Sequence, residues 1–215
     1  MLKRTCAPEL LDSLPHDHPD AVHSRRDLRL INRFMGSRPW FARTLSRVLQ
    51  PGERVLEIGA GTGELARLLQ GRGLAVDGLD RCPCPEGWPA DREWHRSDIM
   101  GFAGYGPYPA VIGNLIFHHL SGDELASLGS SLRRSARVVV ASEPHRRRLA
   151  RWLFAATAPV WGANHVTLHD GRISIEAGFS GDELPLALGM DDGNWDYSCT
   201  IGALGSYRMV SIRRP

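Results

Sequence analysis

The stretch Val55-Leu-Glu-Ile-Gly-Ala-Gly-Thr-Gly-Glu-Leu-Ala66 decides the fold. Val55 to Ile58 has the pattern of a buried strand. Gly59, Gly61 and Gly63 then make a tight turn, after which Leu65, Ala66, Leu68 and Leu69 recur at helical spacing. Strand, glycine turn and helix in that order form a cradle for a ligand. A backbone without side chains approaches the ligand closely, and the helix N-terminus offers unpaired N–H groups.

The spacing of the glycines selects among ligands. A dinucleotide fingerprint needs Gly-x-Gly-x-x-Gly, the third glycine packing helix against strand. Gly59 and Gly61 satisfy it, but Glu64 stands at the third position. The run is Gly59-x-Gly61-x-Gly63, with Glu57 inside the end of the strand. This resembles the first motif of the class I S-adenosylmethionine (SAM) methyltransferases; the plainer alternative is a βα turn that happens to hold several glycines. The resemblance implies a three-layer α/β, Rossmann-like fold. Its sheet would have seven mostly parallel strands with an antiparallel last strand, and lid helices would precede it. It also implies that Glu57, Gly59, Ala60, Gly61 and Gly63 surround SAM, whose product is S-adenosylhomocysteine (SAH).

Leu74 to Asp80 reads as a second strand ending in an acid. In the resembling family a carboxylate here accepts hydrogen bonds from both ribose hydroxyls, a task for an acceptor-only group. Asp80 is the candidate, with Arg81 beside it; Asp77 lies mid-strand and is expected to face solvent. In Trp94-His-Arg-Ser-Asp98-Ile99, the resemblance implies that Asp98 pairs with the adenine amino group and Ile99 packs on the ring. A helix cap or turn is the other reading of Asp98. Ala110 to Asn114 reads as a buried fourth strand leading into a loop over the site, with Asn114 at the cofactor. Ala110 stands where many relatives have Asp, which departs from the family pattern. The His118-His119 pair just beyond matches it. The segment at Asn114 lacks the Asn/Asp-Pro-Pro-Tyr/Phe motif of amino-directed nucleic-acid methyltransferases.

Composition agrees with one domain. A chain of 215 residues can bury a full α/β core. A hydrophobic content of 42% with 23% charged residues is ordinary for a globular protein, and a net charge of +2 is too small for a nucleic-acid footprint. No apolar leader follows Met1-Leu-Lys-Arg, and no apolar run approaches the ~18 residues of a membrane span. The expectation is a cytoplasmic protein without a membrane or nucleic-acid partner, monomeric or homodimeric. Cys82 and Cys84 form Cys-Pro-Cys-Pro, but no second pair lies at zinc spacing, so no metal is expected.

The outer segments organise around this centre. Residues 1 to about 24 are polar and Pro-, His- and Asp-rich, and are expected to be loop or a loosely held arm. Leu28, Ile31, Phe34 and Met35 make a helical stripe, and a second helix starts at Ser37-Arg-Pro39 with proline in its first turn. Asn32 and Arg33 lie beside that stripe, within reach of ligand. The expected division is therefore 1–50 for arm and lid helices and 51–215 for the SAM-binding domain, with an insertion at about 144–180. Ser121-Gly-Asp-Glu124 is a capping box opening a helix towards Arg134, and Ser180-Gly-Asp-Glu183 reads as a second. Val138 to Ala141 is a fifth strand; Glu143, just past it at the carboxyl edge, is expected to face substrate. Arg146, Arg147, Arg148 and Arg151 read as a solvated helix face, or as holders of an anionic substrate. Trp195–Ile201 and Ser206–Arg213 close the sheet as a hairpin.

Asp27-Leu-Arg-x-Ile-Asn-Arg, the glycine motif, Asn114-Leu-x-x-His-His, Glu143-Pro144 and the segment His165 to Phe179 together resemble one bacterial subgroup. These are small methyltransferases of the kind found beside type III polyketide synthases. The resemblance spans residues 25 to 213 and implies methylation of a small molecule in secondary metabolism: a phenol, enol or similar acceptor. A nucleophile attacks the sulfonium methyl in line, and alignment alone removes about 7–11 kcal/mol of barrier. A general base adds about 10²–10⁴-fold, and histidine has a suitable pKa. His119 is the first choice, His118 the second; His165 and His169 lie in the insertion. Two other classes remain: a SAM-fold protein that binds ligand or partner without catalysis, and an NAD(P)-dependent oxidoreductase.

Overall fold

Five strands lie in parallel in one sheet: β1 (Arg54–Ile58), β2 (Ala75–Asp80), β3 (Trp94–Arg96), β4 (Ala110–Asn114) and β5 (Val138–Pro144). The computed structural model describes residues 4–15, 17–202 and 205–215. A hairpin of β6 (Trp195–Ile201) and β7 (Ser206–Arg213) completes seven strands in the order β3-β2-β1-β4-β5-β7-β6. β7 runs antiparallel to both β5 and β6. The expected architecture holds.

Alternation along the strands builds the two cores. Val55, Val76 and Ile112 point to one face, against Phe41 and Leu45 of α3 (Ser37–Val48) and Leu65 and Leu69 of α4 (Glu64–Gln70). Leu56, Ile58, Val111 and Val139 point to the other. There they meet Leu125, Leu128 and Leu132 of α5 (Gly122–Ser135) and Leu184 of α8 (Glu183–Ala187). Register aligns Ile58 with Leu79 and Gly113, and Asn114 with Ser142. The glycine turn, Asp80 and Asn114 therefore leave the sheet at one carboxyl edge. The strand order reverses between β1 and β4, the crevice where open α/β sheets bind ligands.

Four expectations need correction. First, the N-terminal segment is not a loose arm among its described residues; the part of that expectation that falls on residues 1–3 and 16 lies outside them. A short helix α1 (Leu10–Ser13) precedes α2 (Pro19–Met35), which begins well before the apolar stripe. Pro19 supplies a first-turn φ, and the His18 imidazole accepts the Asp20 N–H at 3.2 Å. Among the buried positions of α2 are Ser24 and Asp27, so hydrophobic periodicity misses this half. Both bond to Thr167 on α7 (His165–Ala177). Arg4 anchors the chain before α1, donating from Nε to the Ala177 carbonyl (2.8 Å) and from Nη2 to the Leu120 carbonyl (2.7 Å).

Second, Asp77 is buried rather than solvated. Its carboxylate takes Arg54 at 2.7 Å and the Glu93 N–H at 2.8 Å, which together offset its desolvation. Third, Ser121 and Glu124 form the capping box reciprocally, but Ser180–Glu183 makes only half of one. The Glu183 carboxylate accepts the Ser180 N–H at 3.0 Å, and the Ser180 side chain caps nothing. Fourth, the arginine run is divided. Arg146 is buried against the Gly178 carbonyl and Glu183, and Arg151 pairs with Glu176 at 2.8 Å. Arg147 and Arg148 are exposed at the start of α6 (Arg148–Thr157). Residues 144–180 are thus largely helical: α6, a 3-10 turn over Ala158–Trp161, then α7.

Candidate active site

Gly59 and Gly61 hold φ of 63° and 56°, left-handed values that side chains rarely adopt. A Cβ on Gly59 would strike the Ile116 side chain, whereas a Cβ on Gly61 would enter open space. The turn is tied to β2: Ala60 N–H donates to the Leu79 carbonyl at 3.1 Å, and Gly61 N–H to Asp80 Oδ2 at 2.7 Å. Asp80 Oδ1 accepts the Cys82 N–H at 2.8 Å. Glu64, at the position that departs from the dinucleotide pattern, opens α4 and pairs with Arg38 of α3.

A single cavity of about 1690 Å³ covers the carboxyl edge. Glu57, Gly59, Ala60, Gly61, Asp80, Arg81, Asp98, Ile99 and Asn114 all border it; Gly63 does not. Gly63 instead caps α4 with φ 71°, and a Cβ there would meet Trp88. Glu57 is buried, and its Oε2 has no hydrogen-bond partner. Burial, with Asp80 nearby, pushes its carboxyl up to about 8. Asp98 satisfies the turn reading locally, accepting the Met100 N–H at 2.8 Å, and it also pairs with Arg81. Those two partners hold its carboxyl below the usual range. Asn114 Nδ2 donates to Asn32 Oδ1 at 2.9 Å, while its own Oδ1 is buried and unpartnered. Asn32 borders the cavity; Arg33, His165 and His169 do not.

The chain leaves β4 through Leu115, a bulky residue held at φ 58°, a strained conformation of the kind stored at functional sites. The 3-10 turn Phe117–His119 follows. Glu143 fixes it. Its Oε1 accepts the Ile116 and Phe117 N–H groups at 2.9 and 3.0 Å, and its Oε2 takes His118 Nδ1–H at 2.6 Å. Glu143 is fully buried and does not border the cavity, so it does not face substrate as expected. His118 is buried too, with Nε2 3.6 Å from Glu9 Oε1. Burial alone would lower the His118 imidazole, but Glu143 and Glu9 outweigh it and raise it to about 9. His119 stacks on His118 with ring centroids 4.2 Å apart. Burial and the His118 charge push His119 down, leaving it neutral and at the cavity wall. Glu9 carried no sequence signal, because it sits in the polar arm and meets His118 across 109 positions; α1 and Arg4 bring it there.

No protein family and no curated protein matches the sequence. Solved structures do match in fold. The plantazolicin methyltransferase BpumL, in complex with a triazolic desmethylPZN analog and SAH, aligns with a TM-score of 0.72 at 10% identity. The match covers 95% of this chain and 93% of that one. The pyocyanin biosynthetic protein PhzM aligns at 0.61 with 16% identity, over 96% of this chain and 62% of that one. A structure from echinomycin biosynthesis, concerning conversion of a disulfide bond into a thioacetal group, aligns at 0.54 with 22% identity over 80% of each chain. At these identities the likeness establishes a shared fold.

Proposed function

From that shared fold we propose that the protein is a SAM-dependent methyltransferase acting on a small molecule, a phenol, enol or similar acceptor of polyketide type. The observation that carries this reading is one cavity bordered both by the glycine cradle and by a neutral histidine. The residues present fit the cofactor. Gly61 leaves space that a Cβ would fill, Asp80 offers an acceptor-only group, and the orphaned Glu57 carboxyl suits a cationic ligand such as an α-ammonium. Gly59, Ala60, Asp80, Arg81, Asp98, Ile99 and Asn114 would hold it, and when bound it supplies an electrophilic methyl on a sulfonium. The arm, α2 and α3 act as lid, and those residues of the 144–180 segment that border the cavity form the acceptor wall. The four cysteines form no disulfide, in keeping with the cytoplasm.

The chain's own residues then align the acceptor and take its proton. His118 already carries a proton at neutral pH and cannot serve as base; with Glu143 it positions the turn. His119 Nδ1 or Nε2 receives the acceptor proton. Changing His119 to alanine is expected to lower kcat by about 10²–10⁴-fold while leaving SAH affinity intact. Because its pKa is lowered, activity should hold through pH 6.5 and fall only below it. Wild-type rates in both His119→Ala and His118→Ala would remove histidine from the mechanism.

Cofactor identity is tested by thermal shift with SAM, SAH and NAD, since only the true ligand stabilises by RT ln(1 + [L]/Kd). Stabilisation by NAD alone would overturn the reading, and SAM binding without turnover on any acceptor would favour a non-catalytic binder. Gly61→Val should cost only about 1–2 kcal/mol of stability, for side-chain strain at positive φ. The same change should abolish the SAH response, because the added side chain occupies the cradle.

A further inference from the structure

The helix α6 packs only weakly on the molecule. None of its residues is fully buried, and its main neighbours are α7 and the 3-10 turn that follows it. Leu149, Trp152 and Leu153 recur at helical spacing on one face, and each is more than half exposed. Trp152 is 70% exposed, and Val160 on the following turn 85%. Apolar side chains grouped this way on a surface mark a contact with something apolar.

Charge indicates what that something is. Residues 144–169 contain four arginines and neither Asp nor Glu. Arg146 and Arg151 are turned to Glu183 and Glu176. Arg147 and Arg148 are exposed, and their side chains make no ion pair or hydrogen bond among the described residues. They sit at the N-terminus of α6, the positive end of its dipole, where cations are disfavoured within the fold. Their placement makes sense against an external anionic surface. A second copy of the chain is a poor occupant, because a two-fold contact would set these arginines against each other with no carboxylate on the segment to receive them.

We propose that the face running from Arg147 to Val160 is a peripheral membrane-binding surface that seats Trp152, Leu153 and Val160 among the headgroups of an anionic bilayer. Exposed tryptophan and leucine beside arginine on a short amphipathic helix is the composition of helices that lie in the membrane interface. No helix among the described residues is long and apolar enough to cross a membrane, but interfacial binding requires no span. Leu149 and Leu153, like the exposed Phe34 and Ile201, also border the cavity. Docking through this face would bring that exposed apolar border to the lipid. The proposal stands apart from the assignment of the cofactor.

The test is co-sedimentation of the full chain with vesicles of phosphatidylcholine alone or mixed with phosphatidylglycerol. Binding is expected to the mixed vesicles, weakening with salt, and little to phosphatidylcholine alone. Arg148 and Trp152 do not border the cavity, so their variants leave the site intact. Arg148→Ser should weaken partitioning about fivefold. The double change Trp152→Ser with Val160→Ser should weaken it more than tenfold. Circular dichroism and SAH affinity should match wild type in both. Failure to bind either vesicle, or equal binding by the variants, would overturn the proposal. So would sedimentation velocity showing a Trp152-dependent dimer that ignores vesicles, and an acidic protein captured through this face in place of lipid.

Discussion

Asp80→Ala is expected to weaken SAH binding by about 100-fold or more while the chain stays folded. The carboxylate sits at the end of β2, on the cavity, and each oxygen already accepts one backbone N–H, from Gly61 at 2.7 Å and Cys82 at 2.8 Å. A carboxylate oxygen has a second lone pair, so each can still take a ligand hydroxyl. Two hydrogen bonds to a charged acceptor contribute about 1.5–3 kcal/mol each, and 1.4 kcal/mol is tenfold in Kd. The variant also frees the Gly61 N–H, loosening the cradle. The two backbone bonds lie near the surface, where water replaces the lost acceptor, so the stability cost is small. Isothermal calorimetry with SAH decides the matter, and unchanged affinity would remove Asp80 from the site.

Glu143→Ala acts on the fold instead, and is expected to cost about 3–5 kcal/mol. It strands a buried imidazolium together with the Ile116 and Phe117 N–H groups that the carboxylate receives. In a chain of this size that corresponds to a fall of about 6–20 °C in Tm. The pH dependence carries the signature. The folded protein raises the His118 imidazole from its ordinary 6.5 to about 9. Its raised pKa therefore contributes stability in full below pH 6.5, and the contribution is lost as pH rises through 9. Urea unfolding of the wild type should show this decline between pH 6.5 and 9. In Glu143→Gln the decline should shrink, because the imidazolium has lost its nearest anion. Equal slopes in the two proteins would show that the pair does not govern the His118 proton.

What was legible in the sequence was local. Val55–Ile58, the three glycines and Leu65–Leu69 specify β1, the turn and α4 within fifteen residues, and Asp80 follows from where β2 stops. The Ser121–Glu124 box is likewise a four-residue signal. What was not legible was polar and distant. Asp77 reads as solvent-facing because its partners Arg54 and Glu93 lie 23 and 16 residues away. Glu143 and His118 each read as candidates for the site, but not as partners. Their contact spans 25 positions and depends on β4 and β5 pairing in parallel. The early half of α2 hides for the same reason, since Ser24 and Asp27 are buried only because Thr167 arrives to satisfy them. Periodicity reports apolar burial and is blind to polar burial completed from elsewhere in the chain.

The anchoring of Arg4 has a consequence in time. Its carbonyl partners at Leu120 and Ala177 lie 116 and 173 residues downstream. Leu10 and Leu11 wait likewise for Asp170, to whose carboxylate their amides donate at 2.8 and 2.9 Å. The segment from Arg4 to Leu11 is therefore the last of these elements to find its place, because closing such long loops yields nothing until the far elements have formed. Elements docked last, with few buried apolar contacts, are also the first to open in the native state. The amides of Leu10 and Leu11 should therefore exchange with deuterium far sooner than those of β1 and β4. Glu9 would leave His118 with them, so the site should come apart from its N-terminal side while the sheet beneath it remains whole.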